Sequence, residues 1–174
     1  ELKNIGIEYL IRVGTCGGMQ KDVMPGDIII PTGAIRQEGT SKEYVPIEFP
    51  AVADYDLVDS LRKSSEKLQF NYHLGVVHCK DSFYGQHQPE RMPVGYELKN
   101  KWDAWIKAGA LASEMETATL FTVSSILRMK AAAVLLVIWN QELENAGVDF
   151  NTKYDTESEI KVAVNAIKKI INRK

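Results

Sequence analysis

The stretch that most limits what this chain can become is "AAAVLLVIW", Ala131 to Trp139. It is apolar throughout, and far shorter than the ~20 residues a bilayer-spanning helix needs. A strand with one wet face would alternate polar and apolar residues, and this one does not. It therefore reads as a strand covered on both faces, which requires helices above and below a sheet. The other segments fit that demand. "YLIRV" (Tyr9–Val13) is a short apolar strand running into the glycine-rich loop "GTCGG", and "GDIIIPTGAI" (Gly26–Ile35) is a strand interrupted by Pro31. "HLGVVHC" (His73–Cys79) is another. Asp54 to Leu68 places Leu57, Val58, Leu61 and Leu68 at helical spacing, with Asp54 as N-cap. The last helix opens on a capping box, Thr156 with Glu159, and carries Ile160, Ala163, Val164, Ile167 and Ile171 as one stripe. Strands alternating with helices predict the α/β class.

At 174 residues the chain suits one core, residues 1–174 forming a single domain. Its net charge of −2 gives no reason to expect nucleic acid or an acidic membrane surface as partner. Cys16 and Cys79 are far apart and in no CxxC or metal-type spacing, so buried reduced thiols and a cytoplasmic setting are expected. The sequence opens within an element, with neither an initiator methionine nor a signal peptide, as though an earlier part were missing.

Three places carry chemistry. In "RVGTCGG", Arg12 is a charge inside an otherwise apolar strand and needs an anionic partner. Thr15 and the glycines Gly14, Gly17 and Gly18 follow, and could turn a hydroxyl and backbone N–H groups toward an oxyanion. The pattern is neither GxGxxG nor a P-loop, and taken alone it reads first as a strand-end glycine turn with a structural arginine. In "LASEMETATLF", Glu114 and Glu116 flank Met115. A strand continuing through Glu116 would aim both carboxylates to one side, ready to accept from the hydroxyls of a sugar. A helix beginning at Glu114 would merely place them in its first turn, where they favour the dipole. Phe83 to Trp105, "FYGQHQPERMPVGYELKNKWDAW", shows no steady period and reads as a loop of the binding type. His73, His78 and His87 lack metal-ligand spacing, so no metal site is expected, and no G-x-S-x-G elbow is present.

In order along the chain, "RVGTCGGMQ", "GDIIIPTGAIRQEGTSKEY", "EFPAVAD", "DSFYGQ" and "SEMETATL" resemble the nucleoside phosphorylase family. Within it, the extended "FYGQH-PERMPV" stretch is most similar to uridine phosphorylases of the Gram-positive bacterial type. The resemblance implies a three-layer α/β/α sandwich around a mixed, partly barrel-like central sheet. It implies phosphorolysis of uridine to uracil and ribose 1-phosphate, with inorganic phosphate as co-substrate and no cofactor, in a homo-oligomer, dimer or hexamer. Carried onto this chain, Arg12, Gly14 and Thr15 would bind phosphate, and Glu116 would hold the ribose hydroxyls with Met115 and Glu114 beside it. Arg12, Thr15 and Glu116 would be the catalytic set. Phe83, Gln86 and Arg91 would meet the base, with Gln88 as rival to Gln86. Purine-cleaving relatives place an Asp after the "VLLVI"-type strand, whereas this chain has Asn140, which favours a pyrimidine. Two departures stand out. Gln141, Glu142 and Leu143 occupy the place of a further basic residue, and the family's N-terminal strands and glycine-rich phosphate loop have no counterpart. Missing strands would leave unpaired sheet edges, which invite aggregation.

Overall fold

The computed structural model of the protein describes residues 1–150 and 155–171. Six strands, β1 (Tyr9–Gly18), β2 (Ile28–Arg36), β3 (Ala51–Val52), β4 (Tyr72–Cys79), β5 (Ala112–Glu114) and β6 (Lys130–Asn140), form one mixed sheet. Their order is β3-β2-β4-β5-β1-β6, and β2 pairs again with β6. The helices are α1 (Thr40–Tyr44), α2 (Tyr55–Leu68), α3 (Phe83–His87), α4 (Gly95–Lys107), α5 (Thr117–Ile126), α6 (Gln141–Asn145) and α7 (Glu157–Ile171).

The apolar run is the strand it was expected to be. β6 lies parallel to β1, with Leu10 opposite Ala131 and Thr15 opposite Leu136. Its residues alternate between two cores. Ala131, Ala133, Leu135 and Val137 pack with Phe121 of α5, while Ala132, Val134 and Leu136 pack with Leu57, Leu61, Val162 and Ala166 of α2 and α7. Helices on both faces give the three layers. Antiparallel pairing of Ile28 with Leu136 and Ile29 with Leu135 curls the sheet back on itself. The bare edge that the sequence predicts is thereby reduced along β2, which is shared between β6 at its start and the two-residue β3 near its end.

Several expectations change. β1 does not stop at Val13. It runs on through Gly18, because β6 accompanies it for its whole length, with a register shift between Cys16 and Gly17. Pro31 leaves β2 intact but shifts its ladder with β4 between Pro31 and Gly33, as a residue without an N–H must. Asp54 does cap α2, its carboxylate accepting from the Leu57 amide at 3.1 Å. α7 begins directly after Thr156, where Asp155 accepts from the Glu157 amide. Of its expected stripe only Ala163 is buried; Val162 and Ala166 turn inward with it, while Ile160, Val164, Ile167 and Ile171 are exposed. The reason is close approach: Ser60 of α2 donates to the Ala166 carbonyl at 3.1 Å, which only small residues on α7 permit.

The aperiodic stretch is not a loop. It folds as α3, a 3-10 turn at Pro89–Arg91, and α4. α4 does carry Leu98, Trp102 and Trp105 at i, i+4, i+7, but its indoles meet polar partners instead of a core. Gly95 starts it under a close roof, since a Cβ there would lie 2.2 Å from the Pro89 carbonyl oxygen.

Candidate functional site

A cleft of about 420 Å³ opens where β1, β5 and β6 end and α3 crosses above them, the usual place for a ligand in an α/β sheet. Arg12, Thr15, Phe83, Gln86, Glu114, Met115 and Glu116 all line it. Residues chosen from three separate stretches of sequence thus converge on one space.

Arg12 lies on the same face of β1 as Gly14, and folds back over it. A Cβ at position 14 would stand 2.8 Å from Arg12 Nη1, so the glycine's role is to let the guanidinium lie flat on the strand. Arg12 Nη2 donates to Glu116 Oε2, and Nη1 stands 3.6 Å from Glu114 Oε2. Nη1 is buried yet has no hydrogen-bond partner among the described residues. A buried donor left unsatisfied is costly. The Glu114 carboxylate 3.6 Å away offsets part of that cost by charge alone.

The two carboxylates answer to neither of the simple readings. β5 ends at Glu114, the chain bends through Met115 and Glu116, and α5 starts at Thr117. Glu114 is 4% exposed and accepts from the backbone N–H groups of Glu116 at 3.0 Å and Thr117 at 3.1 and 3.0 Å. It therefore holds the turn and caps α5. Glu116, with its side chain 58% exposed, projects into the cleft mouth. One carboxylate is structural and the other is available.

Phe83 forms one wall. His87 lies 4.2 Å from it, ring centre to ring centre, and Trp139 lies 4.9 Å beyond His87. Together they present an aromatic surface opposite Arg12 and Glu116. Burial, reinforced by the charge of Lys80, lowers the pKa of His87.

Gln86 divides this cleft from a second one, of about 370 Å³, lined among others by Gln37, His78, Lys80, Trp102 and Gln141. Its amide nitrogen donates to Gln141 Oε1 at 3.0 Å, and its oxygen accepts from Ser113 Oγ at 2.8 Å. Ser113 also accepts from Lys80 Nζ at 2.8 Å. Burial lowers the Lys80 pKa, against the opposing pull of Glu114. Burial and the Lys80 charge lower His78 to about 4. Cys16 and Cys79 are free, buried thiols, as expected; burial first, and then Glu114, push both pKa values far up, which makes them inert.

Gln88 and Arg91 are not brought in. Arg91 donates to Gln88 in the 3-10 turn, and neither side chain lines the cleft. Gly14 supports Arg12 from below and is not part of the lining. Asn140 is fully buried and spends its amide on the Gln20 and Val23 carbonyls and the first N–H groups of α6, away from the base-side wall. Sequence reasoning passed over Lys80, Ser113 and Trp139, and weighed His87 only as a metal ligand. Lys80 was findable: like Arg12, it is a charge at the end of an apolar strand, "GVVHCK". Among the described residues no three His, Cys, Asp or Glu side chains stand close enough to hold a metal ion, and no helix is long and apolar enough to cross a membrane.

Known proteins resemble this chain over nearly its whole length. The Phosphorylase superfamily profile matches residues 2–172. The uridine phosphorylase of Treponema pallidum (strain Nichols) is 52% identical over 173 residues, 99% of this chain and 67% of that protein. The uridine phosphorylase of Escherichia coli (strain K12) is 33% identical over 178 residues, 98% of this chain and 69% of that protein. The guanosine phosphorylase of Halorubrum lacusprofundi is 34% identical over 174 residues, 96% of this chain and 68% of that protein.

Proposed function

We propose, for a chain that belongs to the phosphorylase superfamily, that it serves the phosphorolysis of uridine to uracil and ribose 1-phosphate. The observation that carries the proposal is the convergence of the Arg12 guanidinium, the half-exposed carboxylate of Glu116 and the Phe83 wall on one cleft. These are three different receptors side by side, for an oxyanion, a diol and a flat ring.

In this reading Arg12 and Thr15 hold phosphate, with Gly14 keeping the guanidinium low. Glu116 accepts from the ribose hydroxyls, Met115 packs on the sugar, and Glu114 fixes the turn that aims them. Phe83 covers the base, and Gln86 meets its polar edge. A phosphate oxygen forms the new bond to the anomeric carbon as the glycosidic C–N bond breaks, and that electron pair leaves on the uracil. Positive charge develops on the ribose and is faced by the anchored phosphate. Negative charge on the departing ring is met by amide N–H donors. No covalent intermediate with the protein is needed; positioning supplies much of the rate. Neither glutamate need transfer a proton.

The relatives named uridine phosphorylase support uridine over a purine, and so does Asn140, which is tied up in structural hydrogen bonds and puts no acid beside the ring. The buried thiols support a cytoplasmic setting. An apolar groove along β2, lined by Ile47, Phe49, Val52 and Val76, supports self-association as a dimer or hexamer. Uracil release from uridine, followed by absorbance with and without phosphate, tests the activity, with inosine as the purine control. Phosphate-dependent, saturable release from uridine is expected. Cleavage of inosine alone, or none of either, overturns the reading.

A further inference from the structure

The network behind Gln86 can be assigned proton by proton. Trp105 Nε1 can only donate, and it meets Gln37 Oε1 at 3.0 Å, which fixes the oxygen end of that amide. His78 Nε2 lies 2.7 Å from the same oxygen, so Nε2 carries the ring proton. Burial keeps the ring neutral above about pH 4, and Nδ1 is then a bare acceptor. On the other side, Lys80 Nζ reaches Ser113 Oγ at 2.8 Å. An ammonium only donates, so Ser113 accepts there and retains its own hydrogen. Two acceptors face that hydrogen, Gln86 Oε1 at 2.8 Å and His78 Nδ1 at 3.1 Å. The nearer is Gln86, whose nitrogen in turn donates to Gln141 at 3.0 Å.

We propose that Lys80 and Ser113 are positioning residues that set the polarity of the Gln86 amide, and that this polarity makes the cleft prefer an imide edge, as in uracil, to an amino-imine edge, as in cytosine. The proposal rests on the phosphorolysis reading above. An imide presents a ring N–H beside a carbonyl, which pairs with an amide offering its oxygen to the ring nitrogen and its N–H to the carbonyl. Cytosine presents a bare ring nitrogen beside an amino group. It pairs only with the amide reversed. Reversal takes the Gln86 oxygen away from the Ser113 hydrogen, which must then turn to His78. Because His78 Nδ1 can receive it, reversal carries a cost without being forbidden. The preference is graded, far from the exclusion a fully locked site gives.

The test compares kcat/KM for uridine and cytidine at saturating phosphate in the wild type, Ser113→Ala, Ser113→Thr and Lys80→Met. Inhibition by free uracil and free cytosine is measured alongside. In Ser113→Ala the uridine-to-cytidine ratio should fall by about tenfold, with cytosine gaining as an inhibitor relative to uracil. Ser113→Thr, which restores the hydroxyl, should recover most of the ratio. Lys80→Met, which frees the Ser113 oxygen to accept from a reversed Gln86 amide, should lower it in the same direction, and carries the test if Ser113→Ala does not fold. A merely structural role would depress both substrates alike. Normal uridine cleavage with an unchanged ratio in the variants overturns the relay alone. A wild type that releases no uracil with phosphate overturns the functional reading, and the relay with it.

Discussion

Around Arg12, charges pair at the edge of a cleft: a guanidinium with one nitrogen that makes no hydrogen bond, a buried capping carboxylate 3.6 Å from it, and a half-open carboxylate bonded to its other nitrogen. Around His78 the groups are an imidazole, an indole, a hydroxyl and three amides, joined to a single ammonium, and they close on one another in sequence. The two neighbourhoods share Lys80 and Gln86. A network that satisfies itself gains rigidity and can hold one of its members, here Gln86, in a fixed orientation. The molecule sets that closed network directly against the charged cleft, so that the first holds a wall of the second in place.

The largest effect should come from breaking the charged side. Arg12→Ala should lower kcat/KM for phosphate roughly a thousandfold, since charged hydrogen bonds to the transition state disappear. It should also lower the melting temperature, because Glu114 loses a cationic neighbour while buried. An unchanged phosphate dependence would demote Arg12 to a structural role. The next test addresses the closed side. His78 titrates near 4 when folded against an ordinary 6.5, so between those values the unfolded chain holds more protons. Stability is then full above about pH 6.5 and declines as the pH falls toward 4, by on the order of 3 kcal/mol. His78→Gln should flatten that decline in urea titrations at pH 7 and 4. If wild type and variant lose stability equally, the ring is not the neutral partner described here.

Smaller effects sharpen the contrast. Gly14→Ala would push the guanidinium off β1 and should raise the phosphate KM about tenfold while leaving thermal stability within about 0.5 kcal/mol. Equal phosphate KM would mean that Arg12 does not need to lie flat. The smallest change is expected at Arg91, held by Gln88 outside the cleft. Arg91→Ala should leave the uridine KM within about threefold, as for an exposed pair. A much larger rise would show that the 3-10 turn closes over the bound nucleoside.

What the sequence made legible follows from which interactions are local. β6 and the start of α2 could be read because an apolar run and an N-cap are set by neighbours in the chain. Arg12, Thr15 and Glu116 are singled out by the resemblance of their sequence blocks to a known family, since their local pattern leaves a structural arginine and a helix's first turn open. That they share one cleft is what the fold adds. The inward face of α7 could not, since Ala163 and Ala166 are buried by the closeness of α2 and not by their own hydrophobicity. α4 hid for the opposite reason. Its tryptophans are partly buried against Gln37 and Glu142, so its apolar spacing lies among polar residues that disguise it. Ser113 has no signature of its own, and becomes informative only when the register sets it opposite His78 on β4 and Gly17 on β1.

The β1–β6 ladder joins the first strand of the chain to the last. Contacts so distant in sequence form late and slow folding, because the intervening chain must be ordered before they are rewarded. Arg12 and Trp139 can line one cleft only after that ladder has closed. On a ribosome, nearly everything described here must be synthesised before the cleft can exist at all, and a partial unfolding that peels β6 away would dismantle it as a unit.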